Sequence, residues 1–147
     1  MIMIAHRGNI NGPEAVDVEN TLSHITAALA EGFDVEVDIW YVDRKWWSGH
    51  DSPMWPFPQY LLHDNRVWCH AKNIDALYHL LRTGVHCFFH DQDDVALTSR
   101  GYLWTYPGKQ TTDKSIVVIT DDSRPPENCY GACSDYVAKY RTLCEKT

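Results

Sequence analysis

Residues 21–41 read TLSHITAALAEGFDVEVDIWY and predict a helix followed by a strand. In the first half, apolar residues such as Ile25 and Leu29 recur at helical spacing, and a glycine follows, which often ends a helix. In the second half, apolar and acidic residues alternate, which is the period of a strand with two different faces. We therefore predict a helix over residues 21–31 and a strand over residues 34–41.

Short apolar runs alternate with polar turns along the rest of the chain. The further predicted strands cover residues 2–6, 67–72, 85–90, 102–106, 115–120 and 131–136, and the further predicted helices cover residues 74–82 and 137–144. Strands and helices in this order indicate βαβ units, a mainly parallel sheet and one α/β domain over residues 1–147. Right-handed crossovers then bring the segment ends at His6, Asp38 and Lys72 to one rim.

Charge and composition restrict the class of protein. A formal charge of −7 argues against non-specific nucleic-acid binding, which needs a basic surface. No apolar run approaches the ~18 residues of a membrane span, and the apolar start of the chain is too short for a signal peptide. The five cysteines lie mostly in apolar, strand-like contexts, which suits buried thiols in a reducing compartment. We therefore expect a soluble, cytoplasmic protein.

Two carboxylates lie two residues apart on the second predicted strand. Glu36 and Asp38 therefore point to the same face, and their neighbours Val35, Val37 and Ile39 are apolar. Two close carboxylates in a core repel each other unless a cation or a proton lies between them. A divalent cation is the simplest explanation, and oxygen ligands favour Mg²⁺, Ca²⁺ or Mn²⁺. The alternative is a strand whose outer face is acidic.

Two histidines lie beside charged residues, one at the end of the first predicted strand and one after a turn. His6 is followed by Arg7, whose guanidinium can bind two phosphate oxygens at once, and by Gly8. His50 is followed by Asp51. Each histidine alone is more typical of a packed residue or a turn, but two imidazoles can serve as base and acid in one displacement at phosphorus. Together with the carboxylates, they indicate metal-assisted attack on a phosphodiester.

Several short motifs also follow one another in a characteristic order. They are Ala5-His-Arg-Gly8, Glu19-Asn-Thr-Leu22, Ala27-Ala28, Gly32-Phe-Asp34, Glu36-Val-Asp-Ile39 and His50-Asp51, and then, less closely, Val67-Trp-Cys-His-Ala-Lys72, Leu103-Trp-Thr-Tyr106 and Cys133-Ser-Asp-Tyr136. Each motif alone is common, but the ordered set resembles the glycerophosphodiester phosphodiesterases, relatives of bacterial phosphatidylinositol-specific phospholipase C and of sphingomyelinase D. The resemblance implies a TIM-type (β/α) barrel and a place in lipid metabolism.

The resemblance also implies roles for the residues that match its motifs. These are His6 and His50 as acid and base, Glu36 and Asp38 as metal ligands, Arg7 and Lys72 as ligands of phosphate oxygens, Trp104 as a wall of the site for the alcohol, and Glu19 and Asn20 beside the first histidine. In such enzymes a neighbouring hydroxyl of the substrate can attack phosphorus, which gives a cyclic phosphate that water can open. The substrate alcohol is not specified by these motifs.

One residue departs from the family pattern. His70 stands where the family's third strand usually offers a glutamate to the metal. Because His70 lies two residues from Lys72 on the same predicted strand face, we expect it to face the metal as a third ligand. The expected cofactor is then one divalent cation. Mg²⁺ or Ca²⁺ is favoured, and an imidazole ligand also allows Mn²⁺ or Zn²⁺. The alternative is a structurally buried His70.

The length of the chain is the second departure. A complete barrel of this type takes ~250 residues, so we expect an abbreviated (β/α) barrel with mainly parallel strands and some helices lost. Strand faces that lose their helices favour a homo-oligomer that covers them.

Other segments have two interpretations each. His90 or Gln92 could contact substrate, although a solvated acidic turn is favoured there. The aromatic residues within 46–57 could form a pocket or pack in the core. Cys129 and Cys133 could bind metal, but structural thiols are favoured because a second pair is missing nearby.

We conclude that the leading interpretation is a metal-dependent phosphodiesterase that hydrolyses a small glycerophosphodiester-like molecule by in-line attack, with two histidines as acid and base. The alternative is a catalytically degenerate relative that acts as a phosphate- or anion-binding module. A third possibility is another metal hydrolase on a similar barrel.

Overall fold

The computed structural model describes residues 1–141 as a ten-stranded mixed sheet that curls into a half-barrel, with three α-helices. The strands are Ile2–His6 (β1), Asp34–Val42 (β2), Lys45–Ser48 (β3), Trp55–Pro56 (β4), Val67–Ala71 (β5), Cys87–Phe88 (β6), Val95–Leu97 (β7), Leu103–Thr105 (β8), Ser115–Ile119 (β9) and Gly131–Ser134 (β10). The α-helices are Leu22–Ala30 (α1), Gln59–Leu62 (α2) and Ile74–Arg82 (α3), and a 3-10 helix covers Val137–Tyr140.

Seven strands of the sheet are parallel, and antiparallel strands are added at two places. The parallel strands lie in the order β6-β5-β2-β1-β10-β9-β8. The hairpin of β3 and β4 extends the end of β2 in antiparallel fashion, and β7 pairs antiparallel with β8. All parallel strands run in one direction, so their carboxyl ends share one rim of the curl.

The predicted abbreviated TIM-type barrel is therefore wrong. Between α3 and Tyr140 there is no further α-helix, so β8, β9 and β10 are joined by loops rather than by alternating helices. The connections contain Pro107, Gly108, Pro125 and Pro126, which disfavour helix interiors. The apolar runs predicted strands that the structure contains, but the connections between these strands do not supply the helices of a (β/α) barrel.

The predicted helices agree with the structure to different degrees. α3 has the predicted bounds, and the hydroxyl of Thr21 accepts from the backbone of His24 to cap α1. The predicted helix over residues 137–144 is a short 3-10 helix as far as Tyr140, and its last residues lie outside the described part. No helix among the described residues is long and apolar enough to cross a membrane.

Buried apolar side chains form two clusters on the two faces of the curled sheet. The outer cluster lies between the sheet and the helices and includes Ile25, Val35 and Leu80. The inner cluster fills the curl and consists of Ile4, Trp68, Phe88, Ala96, Trp104, Ile116 and Cys133. Because Cys133 belongs to the inner cluster and Cys129 packs on the outer one, these two thiols do not form a metal-binding pair.

Candidate functional site

A cleft of about 370 Å³ lies at the rim formed by the carboxyl ends of the parallel strands. Its lining consists of His6, Arg7, Glu36, Asp38, His50, His70, Lys72, His90, Asp91, Trp104, Tyr106, Val118 and Thr120. Eight of the ten side chains singled out from the sequence lie in this lining. The other two, Glu19 and Asn20, are buried and hydrogen-bonded to residues of the lining.

The metal-ligand prediction centres on two neighbouring strands. Glu36 and Asp38 of β2 point into the curl with exposed fractions of 1% each, and Asp38 pairs in register with His70 of β5. Nδ1 of His70 lies 3.1 Å from Oδ1 of Asp38 and 3.5 Å from Oε1 of Glu36. One ligand atom from each of the three side chains lies within 4.8 Å of the others. The strand spacing thus brings His70 to the carboxylates, as expected, while its role as a ligand stays a prediction.

The protein holds each of these three side chains by its second polar atom. Oε2 of Glu36 accepts from the backbone N–H of Arg7 at 3.1 Å. Oδ2 of Asp38 accepts from the side-chain amide of Asn20 at 2.9 Å, and the backbone N–H of Asp38 donates to that amide's oxygen at 3.0 Å. Nε2 of His70 donates to the carbonyl oxygen of His90 at 3.0 Å. Such contacts orient metal ligands and leave the inner atoms free to bind.

Charged neighbours shift the proton affinities of this cluster. Burial raises the pKa of Asp38, but the hydrogen bond and charge of His70, with Lys72 and Arg7, outweigh it and hold the pKa well below its usual range. Burial lowers the pKa of His70, but Asp38 and Glu36 raise it to about 9. In the absence of another cation, His70 therefore carries a proton and neutralises part of the carboxylate charge.

A tight turn after β1 presents His6 and Arg7 to the cleft. Arg7 and Gly8 have positive φ values of 54° and 88°. A Cβ on Gly8 would lie 2.8 Å from Cδ2 of His24, so this turn requires glycine for space as well as for backbone conformation. Arg7 is held by Glu19, whose Oε2 accepts from Nη1 at 3.0 Å, and its Nε lies 3.4 Å from Oδ2 of Asp38.

His6 has a carboxylate partner from the last strand region. Its Nδ1 lies 2.9 Å from Oδ1 of Asp135, which follows β10. Burial lowers the pKa of His6, but the hydrogen bond to Asp135 and the charge of Glu36 raise it by more, so that the net pKa is raised. Nε2 of His6 has no hydrogen-bond partner among the residues that the structure describes. This nitrogen is the one available for proton exchange with a bound molecule.

His50 enters the cleft from the loop after β3. The indole N–H of Trp40 donates to the carbonyl oxygen of Gly49 at 2.7 Å, and the Gly49 N–H donates to the Asp38 carbonyl at 3.1 Å. These bonds tie the loop to β2. Nδ1 of His50 lies 2.8 Å from Oδ1 of Asp51, and the histidine side chain is 37% exposed. His6 and His50 therefore each have Nδ1 on a carboxylate.

The remaining predicted residues lie on the walls of the cleft. Nζ of Lys72 is 3.5 Å from Oδ1 of Asp38. Trp104 is 4% exposed and stacks on Phe88 with ring centroids 4.3 Å apart, so it is shared between the inner apolar cluster and the cleft. Asn20, expected beside the first histidine, instead clamps Asp38 through its side-chain amide.

Sequence reasoning missed several residues around this cleft. Asp135 lies in the closing Cys133-Ser-Asp-Tyr136 motif, which was a usable signal, but its pairing with His6 spans 129 positions of sequence. No motif or spacing in the sequence singled out Asn9 and His24, which connect buried groups behind the cleft. His90, weighed as a possible substrate contact, lines the cleft with Tyr106, whereas Gln92 is not part of the lining.

Some of the aromatic residues within 46–57 and a second cavity lie away from the site. Trp46 packs against Tyr41 at 4.6 Å and Phe57 is buried in the outer cluster, so both belong to the core interpretation rather than to the cleft. A larger cavity of about 750 Å³ lies where β1 and β2 begin, with Phe33 and Tyr130 in its lining. It contains none of the predicted site residues and no cluster of metal ligands among the described ones.

Comparison of the chain with protein-family models, with curated proteins and with solved structures gives no match in any of the three.

Proposed function

We propose that this chain is a metal-dependent phosphodiesterase that hydrolyses a small glycerophosphodiester-like molecule in the cleft. One observation carries the proposal: two histidines, two cations and a cluster of three candidate metal ligands line a single cavity of about 370 Å³. A packed core or an acidic surface strand would not require all these groups to face the same space. The volume suits a compact head group.

The donor set fits one divalent cation. Glu36, Asp38 and His70 each offer one atom to the cluster and are anchored by the other polar atom. Because Nε2 of His70 carries the proton donated to a backbone carbonyl, Nδ1 is the nitrogen that can bind metal once it loses its own proton. Two carboxylates admit Mg²⁺ or Ca²⁺, and the imidazole favours Mn²⁺ or Zn²⁺. A cation bound there would supply Lewis-acid stabilisation of negative charge on the phosphate.

The cleft histidines would move the two protons of the reaction. A nucleophile O–H, from water or from a neighbouring hydroxyl of the substrate, transfers its proton to Nε2 of one histidine as its oxygen bonds to phosphorus. The bond from phosphorus to the leaving alcohol breaks, and the other histidine gives a proton to that oxygen. Asp135 holds His6 and Asp51 holds His50 through Nδ1, which leaves Nε2 of each ring for these transfers.

The cations on the cleft wall would bind the phosphate oxygens. Nη1 of Arg7 donates a hydrogen bond to Glu19, and this contact does not involve Nη2. Lys72 follows β5, so it approaches β2 from the side opposite to Arg7, and its Nζ lies near Oδ1 of Asp38 while Arg7 lies near Oδ2. Groups held in advance around a charged transition state contribute strongly to catalysis because they need little reorganisation.

A second candidate, an anion-binding module without catalysis, is favoured by one observation. Asp38 lies within 3.1–3.5 Å of Nδ1 of His70, Nε of Arg7 and Nζ of Lys72. These protein cations can balance the carboxylates without a metal. In that case the cleft would bind a phosphate-containing molecule and release it unchanged.

Turnover assays with several glycerophosphodiesters and a lysophospholipid distinguish the candidates. The protein would be tested with Mg²⁺, Ca²⁺, Mn²⁺ or Zn²⁺ and with chelator, and ³¹P NMR would separate a cyclic phosphate from an open monoester. We expect metal-dependent turnover that falls roughly 10²–10⁴-fold in His6→Ala and in His50→Ala. His63→Ala, which removes an exposed histidine outside the cleft, is the matched control.

Binding of the same diesters without turnover would support the anion-binding module instead. Turnover that is unchanged in both cleft variants would contradict the acid–base assignment.

A cytoplasmic location and self-association are further parts of the proposal. Self-association is supported by the edge strand β7, whose side chains Val95 and Leu97 are exposed. Light scattering at micromolar concentration tests the oligomer, and a monomer mass would count against it.

A further inference from the structure

A buried hydrogen-bonded network behind the cleft meets at Asn9. Asn9 has no exposed surface and follows the turn that presents His6 and Arg7. Its side-chain nitrogen donates to Oε1 of Glu19 and to Oδ1 of Asp135, both at 2.7 Å. Its side-chain oxygen accepts from Nε2 of His24 at 2.9 Å.

The orientation of this amide follows from its neighbours. Ionised carboxylates only accept hydrogen bonds, so the nitrogen must face Glu19 and Asp135. The oxygen then faces His24, which must carry a proton on Nε2. Both donors of the amide are used, and a flipped amide would place its oxygen against two carboxylates. Glu19 and Asp135 therefore fix the orientation of the Asn9 amide, and His24 donates to its oxygen.

The two carboxylates that Asn9 joins each hold one side chain of the cleft. The other oxygen of Glu19 accepts from Nη1 of Arg7 at 3.0 Å. Oδ1 of Asp135 also pairs with Nδ1 of His6 at 2.9 Å. Glu19 and Asp135 come from distant parts of the chain, and Asn9 is the residue that bonds directly to both. Buried polar networks of this kind rigidify a site when every member has its partners.

We propose that Asn9 is a positioning residue that couples the orientation of His6 to that of Arg7. This inference rests on the proposed function, in which His6 transfers a proton while Arg7 binds the phosphate. Asn9 does not line the cleft, so it acts through Asp135 and Glu19. Removing it leaves two neighbouring carboxylates without their shared donor, and both side chains in front of them lose a fixed position.

The coupling predicts a distinctive pattern of kinetic defects. Asp135→Asn acts on His6 and is expected mainly to lower kcat, whereas Glu19→Gln acts on Arg7 and is expected mainly to raise KM. Asn9→Ala is expected to do both, with a loss in kcat/KM of roughly 10–100-fold, the size typical of residues that orient a site from behind. Asn11→Ala, which truncates an exposed asparagine two positions away, is the matched control and should keep wild-type values.

Imidazole ¹H–¹⁵N NMR provides a reading that does not depend on activity. In the wild type, a protonated Nδ1 of His6 and a protonated Nε2 of His24 are expected. In Asn9→Ala, solvent exchange of the His6 Nδ1 proton should accelerate at least tenfold, while the control leaves it unchanged. If Asn9→Ala does not fold, His24→Ala removes the side chain that donates to the Asn9 amide oxygen and should accelerate the same exchange several-fold.

The outcomes separate this inference from the proposed function. Faster exchange at His6 together with combined kcat and KM defects supports the coupling. Exchange and kinetics in Asn9→Ala within twofold of wild type would overturn it. If the wild type shows no turnover with any diester, the phosphodiesterase proposal fails, and the NMR exchange alone then supports or refutes the coupling by Asn9.

Discussion

The buried histidine immediately before β6 leads to a defined prediction about acid stability. His86 is 2% exposed, packs 4.1 Å from the ring of Trp68, and lies near Tyr102. Its Nε2 is 3.0 Å from Oγ1 of Thr98. Burial, with a smaller effect from the charge of Arg100, lowers the pKa of His86 to about 4. The fold therefore favours the neutral ring, and protonation of His86 should favour unfolding.

The sign and size of the effect follow from proton linkage. The pKa is about 6.5 in the unfolded chain and about 4 in the folded one, so the stabilisation is fully present above pH 6.5 and is lost as pH falls toward 4. At about 1.4 kcal/mol for each tenfold difference in proton affinity, the loss approaches about 3 kcal/mol near pH 4. At pH 5 the same relation gives about 2 kcal/mol relative to pH 8.

Urea unfolding at pH 8 and pH 5 measures this loss. His86→Gln removes the titrating ring and keeps a polar group for Thr98, so the variant should lose about 2 kcal/mol less than the wild type over this interval. Other titrating groups are common to both proteins and cancel in the difference. His63→Gln controls for the loss of a histidine at an exposed position. Parallel pH dependences for wild type and His86→Gln, within about 0.5 kcal/mol, would refute the reasoning.

Two further predictions concern residues that shape the cleft. Gly8→Ala should cost about 1–3 kcal/mol more in urea unfolding than Gly84→Ala, because both have positive φ but only the first places a Cβ against a neighbouring ring; equal costs would contradict the close approach. Asn20→Gly keeps the backbone at φ 62° while removing both side-chain bonds to Asp38, so Mn²⁺ affinity measured by calorimetry should fall roughly 10–100-fold; unchanged affinity would place the metal elsewhere.

Local patterns in the sequence predicted the grouping of the cleft residues well. Residues two apart on a strand share a face, so Glu36 and Asp38, like His70 and Lys72, could be paired from their numbers alone. Parallel strands place their ends at one rim, which brought His6 to the same place. These are consequences of strand geometry, and they do not depend on whether helices or loops connect the strands.

The architecture and the contacts behind the cleft could not be predicted in the same way. A parallel strand pattern does not state whether a helix or a loop connects two strands, and β8, β9 and β10 are joined by loops rather than by the alternating helices of a (β/α) barrel. The hairpin of β3 and β4 was missed because its strands are only four and two residues long. The bond between His6 and Asp135 joins the two ends of the described chain, and no local spacing reports such a pair.

The balance of charge in the cleft is what separates the two candidate functions. Arg7, Lys72 and a protonated His70 carry three positive charges beside Glu36 and Asp38, and Glu19 also pairs with Arg7. These cations roughly offset the three carboxylates without a metal. A transition state at phosphorus concentrates negative charge on the reacting oxygens and needs more stabilisation than the bound ground state. A divalent cation in place of the His70 proton would supply it. Metal should therefore change turnover far more than it changes diester binding, whereas diester binding that needs no metal, with no turnover when metal is added, would favour the binding module.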